Sequence, residues 1–577
     1  MTAGVRQEPR GADRPPTSRR DRLPALLALL LGSAGVGYRL ALLFADAPPS
    51  NSDEATMGLA ALHIARGDDF PVWFYGQAYM GTLEAYLAAP LVALAGPSVL
   101  VLRLPTLALY ALFLLLSWRL TRRLGGDRWY ALLVVAVLAL GSDRVVKNQL
   151  IAGGGYPELN PAGAALALLT VGLCGGGPGA RLPRWAAWGL VAGVLLWVDP
   201  LILPYVLTLG ALLVAWRRRE LAGRAGGALA AALLLGVAPM VLDSLRHGRD
   251  PLTAVLSASG SGPAASWAER WHGGLVVGPP LAMGFCSPGH CAPWQLWWAP
   301  VFLVLLLLAA VTAGRTLRRV PPSSAGERVP AGERVSAGVR LALLAGAAAV
   351  LAGYASSNAA GRTPLESGRY LSCLAVAVPA LLWPLWQAVR PLAAHLTRRP
   401  GRRGPLDPDR RRQLGEVAVS DRLGHPHLGE AGSVGSVVVG VGAVAVLAGV
   451  LGTSAGATVA AIRAAPAAHA EADRHRLLVD ALGDLGVRHA RGGYWTCNRI
   501  AFASGEDTVC AVVDDELRPG LDRLPGYRRA VAADPDAAWV APDGSPLAAR
   551  LDRQLGAEPG ALRVITTPGW RIYLPRR

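Results

Sequence analysis

Residues 23–60 of the chain read LPALLALLLGSAGVGYRLALLFADAPPSNSDEATMGLA. The part from Leu23 to Phe44 is an apolar run, and two adjacent carboxylates, Asp53 and Glu54, follow it after a short link. A helix of about 20 apolar residues crosses the roughly 30 Å hydrocarbon core of a bilayer. The stretch therefore predicts one membrane span with an acidic pair just beyond its end.

The rest of the chain repeats this apolar pattern. Of its 577 residues, 52% are hydrophobic, and the mean hydropathy of +0.34 is far from that of an ordinary soluble protein. With the further runs, the sequence predicts an α-helical polytopic membrane protein with about eleven transmembrane helices. The further runs lie at residues 98–117, 129–141, 159–175, 185–199, 200–216, 226–243, 297–314, 339–355, 370–388 and 435–455.

Charge clusters between the runs predict the orientation of the chain. The formal net charge is +17, but the arginines fall mainly in short clusters, which is typical of cytoplasmic loops rather than of a nucleic-acid-binding surface. The N-terminus is then cytoplasmic, and no nucleic-acid partner is expected. The external segments are the loops at 45–97, 142–158, 244–296 and 356–369 and the tail from residue 456.

The same patterns predict the domain organisation. Residues 1–23 are basic and Pro-rich and predict a disordered cytoplasmic leader. Residues 24–455 form the transmembrane domain, within which the charged segment 389–434 predicts a flexible cytoplasmic linker. Residues 456–577 pass from a helix-like period to short strand-like runs, so they predict a small external α/β domain.

Four of the six cysteines fall in segments predicted to be external, where disulfides persist. The two predicted disulfides are Cys286 with Cys291, in the motif CSPGHC, and Cys497 with Cys510, around a strand-like stretch. For the first pair, the alternative is a zinc site that includes His290. Cys174 and Cys373 lie in apolar runs and are expected to be packing residues.

The first external loop has two interpretations. Ser and Asp ahead of apolar residues at helical spacing predict a helix that begins near Asp53, and the acidic pair then only caps it. The loop continues, however, as RGDDFPVWFYGQAYMGTLEAYLAAPL, in which aromatic residues surround a third carboxylate, Glu84. Aromatic rings at headgroup level are typical of helices that lie on a membrane surface. In that interpretation the carboxylates face the lipid headgroups.

Three stretches resemble one family of membrane enzymes. They are the Asp-Glu pair with YGQAYMGTLEAYLAAPL at 75–91, SGRYLSCLAVAVPALLWPL at 367–385, and GGYWTCNRIAFASGEDTVC at 492–510. The chain thereby resembles the polyprenyl-phosphate-sugar glycosyltransferases of the GT-C superfamily, and especially the protein mannosyltransferase and aminoarabinose transferase branch, often called family-39-like. The resemblance implies a GT-C fold in the cell membrane. It also implies transfer of a sugar from a polyprenyl phosphate to a hydroxyl, with inversion, at the outer face.

The resemblance assigns a role to each acid of the first loop. An unactivated hydroxyl needs a general base within hydrogen-bond reach, and Asp53 matches the position of that base in the family. Glu54 would orient the acceptor or hold Asp53 by a hydrogen bond. Glu84 would contact the sugar or the acceptor, and the alternative is an acid on an exposed helix face.

Cations are expected where the leaving phosphate develops charge. Arg369 heads a late span at a predicted external boundary, and the alternative to phosphate binding there is interfacial anchoring. Lys147 is the only lysine of the chain and is a second candidate. The remaining candidates for substrate contact are Tyr79, Asp143, Glu158 and Tyr370.

Two further expectations concern the position of Asp199 and the need for a metal or cofactor. Asp199, in LLWVDPLIL, is predicted to lie at a tight external turn, because Asp-Pro commonly starts turns. No acidic triad specifies a divalent ion, so neither a metal nor another cofactor is expected.

Two other classes of protein compete with the enzyme. A multi-span lipid or glycolipid transporter or flippase would carry charged or broken segments at mid-membrane, often in paired repeats, and no repeat is obvious here. A protein that only binds cell-wall glycans would leave the acidic loop without a role. The sequence does not distinguish a glycan, a glycolipid or a protein as the acceptor, nor does it specify the donor sugar.

Overall fold

The computed structural model describes residues 19–176, 181–248, 250, 253, 264–286, 291–319, 331–397, 429–557 and 561–576. Most of the predicted leader, the middle of the predicted linker and His290 lie outside these described residues. The statements that follow concern the described residues.

Helices make up the chain as far as the C-terminal domain. The α-helices are Arg19–Phe44, Ser52–Arg66, Leu83–Ala95, Val99–Arg123, Arg128–Ala139, Asp143–Leu150, Tyr156–Cys174, Arg181–Val198, Leu203–Leu221, Arg224–His247, Trp267–Trp271, Gly278–Ala282, Trp298–Arg318, Ala331–Ser356, Asn358–Arg362, Pro364–Ser367, Val378–Leu381, Trp383–Thr397 and Gly429–Asp484. Tighter 3-10 turns occupy Pro200–Ile202, Pro293–Trp297 and Gly368–Ala377, and a π-helix occupies His272–Val277.

Within the described ranges, eight helices are long and apolar enough to cross a membrane, or nine if a bent pair counts as one span. The bent pair is Arg128–Ala139 with Asp143–Leu150, which meet at 91°. The number predicted from the sequence, about eleven, is not confirmed. The other two predicted spans are the helices Tyr156–Cys174 and Arg181–Val198, whose first turns carry Glu or two Arg and are therefore less apolar.

One helix connects the last predicted span to the C-terminal domain. Gly429–Asp484 has 56 residues, which at 1.5 Å per residue makes it about 84 Å long. This length exceeds the thickness of a bilayer, so the helix extends well beyond a single span. The domain boundary predicted at residue 455 falls inside this helix.

The C-terminal domain contains a five-stranded sheet with three helices between its strands. The strands are β1 (His489–Gly492), β2 (Val509–Val512), β3 (Ala538–Pro542), β4 (Leu562–Thr567) and β5 (Trp570–Pro575), and the helices are Tyr494–Ala503, Pro525–Ala533 and Pro546–Ala557. The strand order is β2-β1-β3-β5-β4, with parallel pairs around β1 and antiparallel pairs around β5. The predicted small α/β domain therefore has a mixed sheet.

The C-terminal domain and the loop after the first span share one apolar core. Met57, Leu59 and Phe74 of the loop segment are fully buried in the same cluster as Phe502 and Tyr527 of the domain. Burial of apolar surface is the main favourable term in such packing. The loop helix Ser52–Arg66 is therefore held between the membrane bundle and the domain.

Candidate active site

The acidic pair lies in the first turn of the helix Ser52–Arg66. Asn51 is the N-cap, because its side-chain oxygen accepts a hydrogen bond from the Glu54 backbone N–H at 2.9 Å. Carboxylates in a first turn are also stabilised by the positive end of the helix dipole. The helix predicted from the sequence is present, but capping is the role of Asn51 and not of Asp53 or Glu54.

Glu54 forms an ion pair inside the protein. Its two carboxylate oxygens accept hydrogen bonds from Arg103 at 2.6 and 2.7 Å, and the two side chains are 0% and 1% exposed. Arg103 also donates to the Pro48 carbonyl. The expectation that Glu54 orients the acceptor or holds Asp53 does not match these contacts, because both of its oxygens are bound to Arg103.

Asp53 has different surroundings from its neighbour. Its Oδ1 accepts hydrogen bonds from the Tyr494 hydroxyl at 2.5 Å and from Arg523 Nη2 at 3.1 Å. Among the described residues none donates a hydrogen bond to Oδ2, and the side chain is 25% exposed. Asp53 is therefore a fixed carboxylate with one oxygen open to a ligand.

Tyr494 and Arg523 both belong to the C-terminal domain. Arg523 donates from Nε to the Tyr494 hydroxyl at 2.6 Å and from Nη1 to the Tyr75 carbonyl at 3.2 Å. Its guanidinium also lies 4.6 Å from the centroid of the Phe74 ring. Burial, followed by the charge of Asp53, raises the pKa of Tyr494 well above its usual value, so this hydroxyl stays protonated and remains a donor.

Glu84 and Glu158 form a second buried acidic pair. Glu84 is 2% exposed and accepts the backbone N–H groups of Gly154 and Gly155 at 3.4 and 3.2 Å. Burial and the charge of Glu158 raise the pKa of Glu84 well above 4.5. Glu158 is 3% exposed, and its carboxylate accepts a hydrogen bond from the protonated carboxyl group of Glu84. Glu84 is not the exposed helix-face acid that was the alternative from the sequence.

The Gly-rich loop under Glu84 packs against the helix that carries the acidic pair. A Cβ at position 153 would lie 3.4 Å from the Glu54 backbone nitrogen. Gly155 has φ +77, and a Cβ there would lie 2.8 Å from Val198. Glycine is thus required at position 155 by both its backbone conformation and the available space. Glu84 orders this loop and so supports the helix start that holds Asp53.

Three cations, Arg369, Lys147 and Arg144, lie near one another, and Arg369 connects this group to Asp53. Arg369 is exposed, within electrostatic range of Asp53, and 5.8 and 5.6 Å from the ring centroids of Tyr156 and Tyr370. Lys147 is exposed and lies within electrostatic range of both Arg369 and Arg144. Across the described ranges, no carboxylate lies within 4.0 Å of any of these three cations. Unpaired cations of this kind are able to bind an anion.

The other predicted site residues fall at different depths around this centre. Tyr79 is near Tyr370, Arg523 and Arg369, and burial raises its pKa above the usual value. Asp143 begins the helix that carries Lys147. Asp199 is 4% exposed and caps the 3-10 turn Pro200–Ile202 by accepting from the Leu201 N–H at 2.8 Å, so the predicted turn is present but its acid is buried.

The cysteine pairs Cys286 with Cys291 and Cys497 with Cys510 are each disulfide-bonded in the structure. Cys174 and Cys373 are free and buried. In the part of the chain that the structure describes, no group of three or more His, Cys, Asp and Glu side chains is arranged to hold a metal ion.

Neither a protein-family model nor a curated protein matches the sequence of the chain. Solved structures do resemble it. ArnT from Cupriavidus metallidurans, solved in the apo state and bound to undecaprenyl phosphate, matches 96% of this chain and 97% of its own, with a TM-score of 0.54 at 14% identity. The apo oligosaccharyltransferase from Archaeoglobus fulgidus matches 91% of this chain and 70% of its own, with a TM-score of 0.50 at 10% identity. Both are GT-C glycosyltransferases. The chain has the GT-C fold.

With this fold, the apolar helices of the chain make a multi-pass membrane protein. The fold places Asp53 and Tyr79 in one region with the late-span residues Arg369 and Tyr370. These residues lie far apart in the sequence. The fold brings them together. In the sequence, only the family resemblance predicted that they belong to one site.

Sequence reasoning missed Arg523, Arg103 and Arg144. Each lies in a sequence rich in arginine, where one more arginine carries no signal. Tyr494 was noticed only as part of the motif GGYW and not as a site residue. What distinguishes these residues is long-range contact, since Arg523 is 470 positions away from its partner Asp53.

Proposed function

We propose that this protein is an integral membrane glycosyltransferase, which moves a sugar from a polyprenyl-phosphate donor to a hydroxyl acceptor at the outer face of the cell membrane. One observation carries the proposal. Asp53 is a fixed carboxylate with one open oxygen, and it lies within electrostatic range of Arg369, a cation with no carboxylate within 4.0 Å among the described residues. Glycosyl transfer from a sugar phosphate requires a base for the acceptor hydroxyl and a cation for the leaving phosphate.

In the proposed reaction, the acceptor hydroxyl attacks the anomeric carbon and the bond from that carbon to the phosphate oxygen breaks. Asp53 Oδ2 takes the proton of the hydroxyl, and polyprenyl phosphate leaves with the electron pair of the broken bond. Attack opposite to the leaving group inverts the anomeric configuration. General-base assistance of this kind contributes about 10²- to 10⁴-fold in rate.

The cations Arg369, Lys147 and Arg144 would stabilise the leaving phosphate. None of them is neutralised by a carboxylate within 4.0 Å in the described part of the chain, whereas Arg103 and Arg523 are ion-paired. A guanidinium can bind two phosphate oxygens at once, which makes Arg369 the main candidate. A phosphate at these groups would therefore meet no competing carboxylate.

An apolar cavity of about 520 Å³ supports a lipid-linked donor. It lies between the helix start at Asp143 and the long helix Gly429–Asp484, and Phe285, Trp294 and several glycines line it. Asp143 and Lys147 are four residues apart on one helix, so they lie on the same face. In the proposal the polyprenyl chain occupies the cavity and its phosphate reaches Lys147.

One of the solved structures with this fold supports this substrate class through its bound ligand. ArnT from Cupriavidus metallidurans has been solved with undecaprenyl phosphate bound. For the present chain we propose a polyprenyl-phosphate sugar, with a glycan, a glycolipid or a protein as acceptor. An N-terminus on the cytoplasmic side and a C-terminal domain outside, as the arginine clusters predict, would put Asp53 at the outer face.

The test is transfer of label from radiolabelled polyprenyl-phosphate sugars into endogenous acceptors in membranes that carry the wild-type protein or Asp53→Asn at matched levels. We expect the variant to lose about 10²-fold or more of the transfer rate. Asp515→Asn, a matched change at an exposed carboxylate of the C-terminal domain, controls for loss of a carboxylate. Transfer by Asp53→Asn at the wild-type rate would contradict the mechanism. If no donor is used by the wild type, the flippase alternative becomes the better hypothesis and a lipid-transport assay follows.

A further inference from the structure

The contacts of Asp53 join two parts of the chain that a sequence-based description keeps separate. Asp53 belongs to the first external loop of the transmembrane domain, whereas the two groups that bind its Oδ1 come from the C-terminal domain. We propose that Tyr494 and Arg523 are positioning residues that hold the Asp53 carboxylate for the transfer reaction, so that the C-terminal domain completes the catalytic centre. The proposal rests on the proposed function for the role of Asp53.

The contacts of Arg523 hold its side chain next to Asp53. Its side chain is 6% exposed, and Asp53 is the one carboxylate within 4.0 Å of it in the described part of the chain. Its three nitrogens donate to Tyr494, the Tyr75 carbonyl and Asp53. A buried guanidinium needs a counter-charge and filled hydrogen bonds to be tolerated. All three of these donations go to groups around Asp53, and none goes to the sheet of its own domain.

The orientation of the carboxylate is what these donors determine. The χ2 torsion of an aspartate is broad, so packing alone does not decide which oxygen faces the substrate. Two hydrogen bonds to Oδ1 select one orientation and leave Oδ2 open. A general base works only when the reacting oxygen is held near the proton it takes. Tyr494 and Arg523 therefore act through Asp53 and need not touch the substrate.

The docking of the domain on the loop helix makes this arrangement rigid. The Ser52 hydroxyl donates to the Tyr494 carbonyl at 2.6 Å, and Asn498 donates to the Thr56 hydroxyl at 2.7 Å. A Cβ at position 58 would lie 2.6 Å from the ring of Phe502, so the two helices approach as closely as glycine allows. Farther along, Glu506 of the domain binds both His63 and Arg66.

The experiment uses the full-length protein in nanodiscs and the variants Tyr494→Phe and Arg523→Lys. We expect each variant to lower kcat for sugar transfer by about 10- to 100-fold, since displacement of a catalytic group by about 1 Å has effects of this order. The KM values for donor and acceptor should change by less than about threefold, because neither residue is expected to bind substrate. The controls are Tyr527→Phe, which removes a hydroxyl from the same interface at Glu506, and Arg518→Lys, on the exposed surface.

A second readout does not depend on activity. The change in unfolding temperature caused by Arg523→Gln is measured in the wild-type and the Asp53→Asn backgrounds. Direct contact predicts that this change is smaller by about half or more in the second background, because residues in contact are energetically coupled. Equal changes in the two backgrounds would overturn the proposed contact whatever the reaction is.

The two readouts separate this inference from the proposed function. Coupling without sugar transfer by the wild type would refute the proposed function, and with it the catalytic role of the contact. Coupling with a Tyr494→Phe variant as active as Tyr527→Phe would refute the positioning role alone. Coupling together with a selective loss of kcat supports both.

Discussion

Glu54 binds Arg103 through both carboxylate oxygens, and neither side chain is exposed by more than 1%. Its neighbour Asp53 is 25% exposed and keeps one oxygen without a donor among the described residues. Two adjacent acids thus have different surroundings, because successive residues of a helix point about 100° apart. One faces the interior of the bundle and the other faces the proposed site.

The ion pair leads to a prediction about stability. Glu54→Ala leaves Arg103 as a buried charge without its partner, and loss of one member of such a pair costs about 3–5 kcal/mol. We expect a large drop in the amount of folded protein in the membrane and in its unfolding temperature. The double variant Glu54→Gln with Arg103→Met removes both charges and should recover part of this loss. A fully stable Glu54→Ala protein would show that the pair does not hold the helix start.

The raised pKa of Glu84 leads to a prediction about an isosteric change. Burial and Glu158 favour the protonated form of Glu84, and glutamine reproduces its shape and neutral charge. Its amide NH2 can donate to Glu158 in place of the carboxyl proton, and its amide oxygen keeps one of the two acceptors for Gly154 and Gly155. Glu84→Gln should therefore keep transfer within about threefold of the wild type. Glu84→Ala should lose about 10-fold or more, because the glycine loop loses its support. A strong loss in Glu84→Gln would favour a charged, substrate-binding Glu84 instead.

The same group predicts a pH dependence of stability. The pKa of Glu84 is higher in the folded protein than its ordinary value of 4.5, so above pH 4.5 the folded state binds more protons than the unfolded state. This contribution to stability is complete below that pH and is lost as the pH rises through the raised pKa. The unfolding temperature of the wild type should thus fall over this range relative to that of Glu84→Gln. Parallel curves for the two proteins would contradict a raised pKa.

The proposed role of Arg369 in stabilising the leaving phosphate predicts that its replacement lowers the rate of sugar transfer from the donor. Arg369→Gln should lower kcat/KM for the lipid-linked donor by about 10²- to 10³-fold, because it removes charge stabilisation from the leaving group. Arg390→Gln, at the far end of the same candidate span, should have little effect and is the control. If Arg369 only anchors the helix at the interface, both variants will behave alike. Lys147→Gln should show a smaller loss of the same kind.

The disulfide Cys497 with Cys510 leads to a prediction about the stability of the C-terminal domain. It joins the helix that begins at Tyr494 to strand β2, and both cysteines are fully buried. Replacement of both by alanine should lower the free energy of unfolding of the domain by about 3 kcal/mol, as expected for a loop of this length. Protease resistance of the C-terminal domain is the measurement. The double alanine variant at Cys286 and Cys291 should leave that resistance unchanged.

The membrane character, the helical fold class and the C-terminal α/β domain could all be read from local patterns. Apolar runs identify spans because each helix must meet the lipid by itself. The runs at 159–175 and 185–199 form the apolar helices Tyr156–Cys174 and Arg181–Val198, whose first turns carry charged residues. The helix that carries Asp53 was likewise visible in the sequence. Local signals of this kind act within a few residues, which is why the sequence contains them.

The sequence by itself determined where the acids and spans lie, and the tertiary structure alone decided what each acid does. Without the family resemblance Asp53 and Glu54 are equivalent in the sequence, and the positions of Arg103 and Arg523 place one in a buried ion pair and leave the other with an open oxygen. These partners lie 49 and 470 residues away. The charge state and orientation of a carboxylate depend on burial and on nearby donors. Both quantities come from the packing of distant segments, which no local pattern encodes.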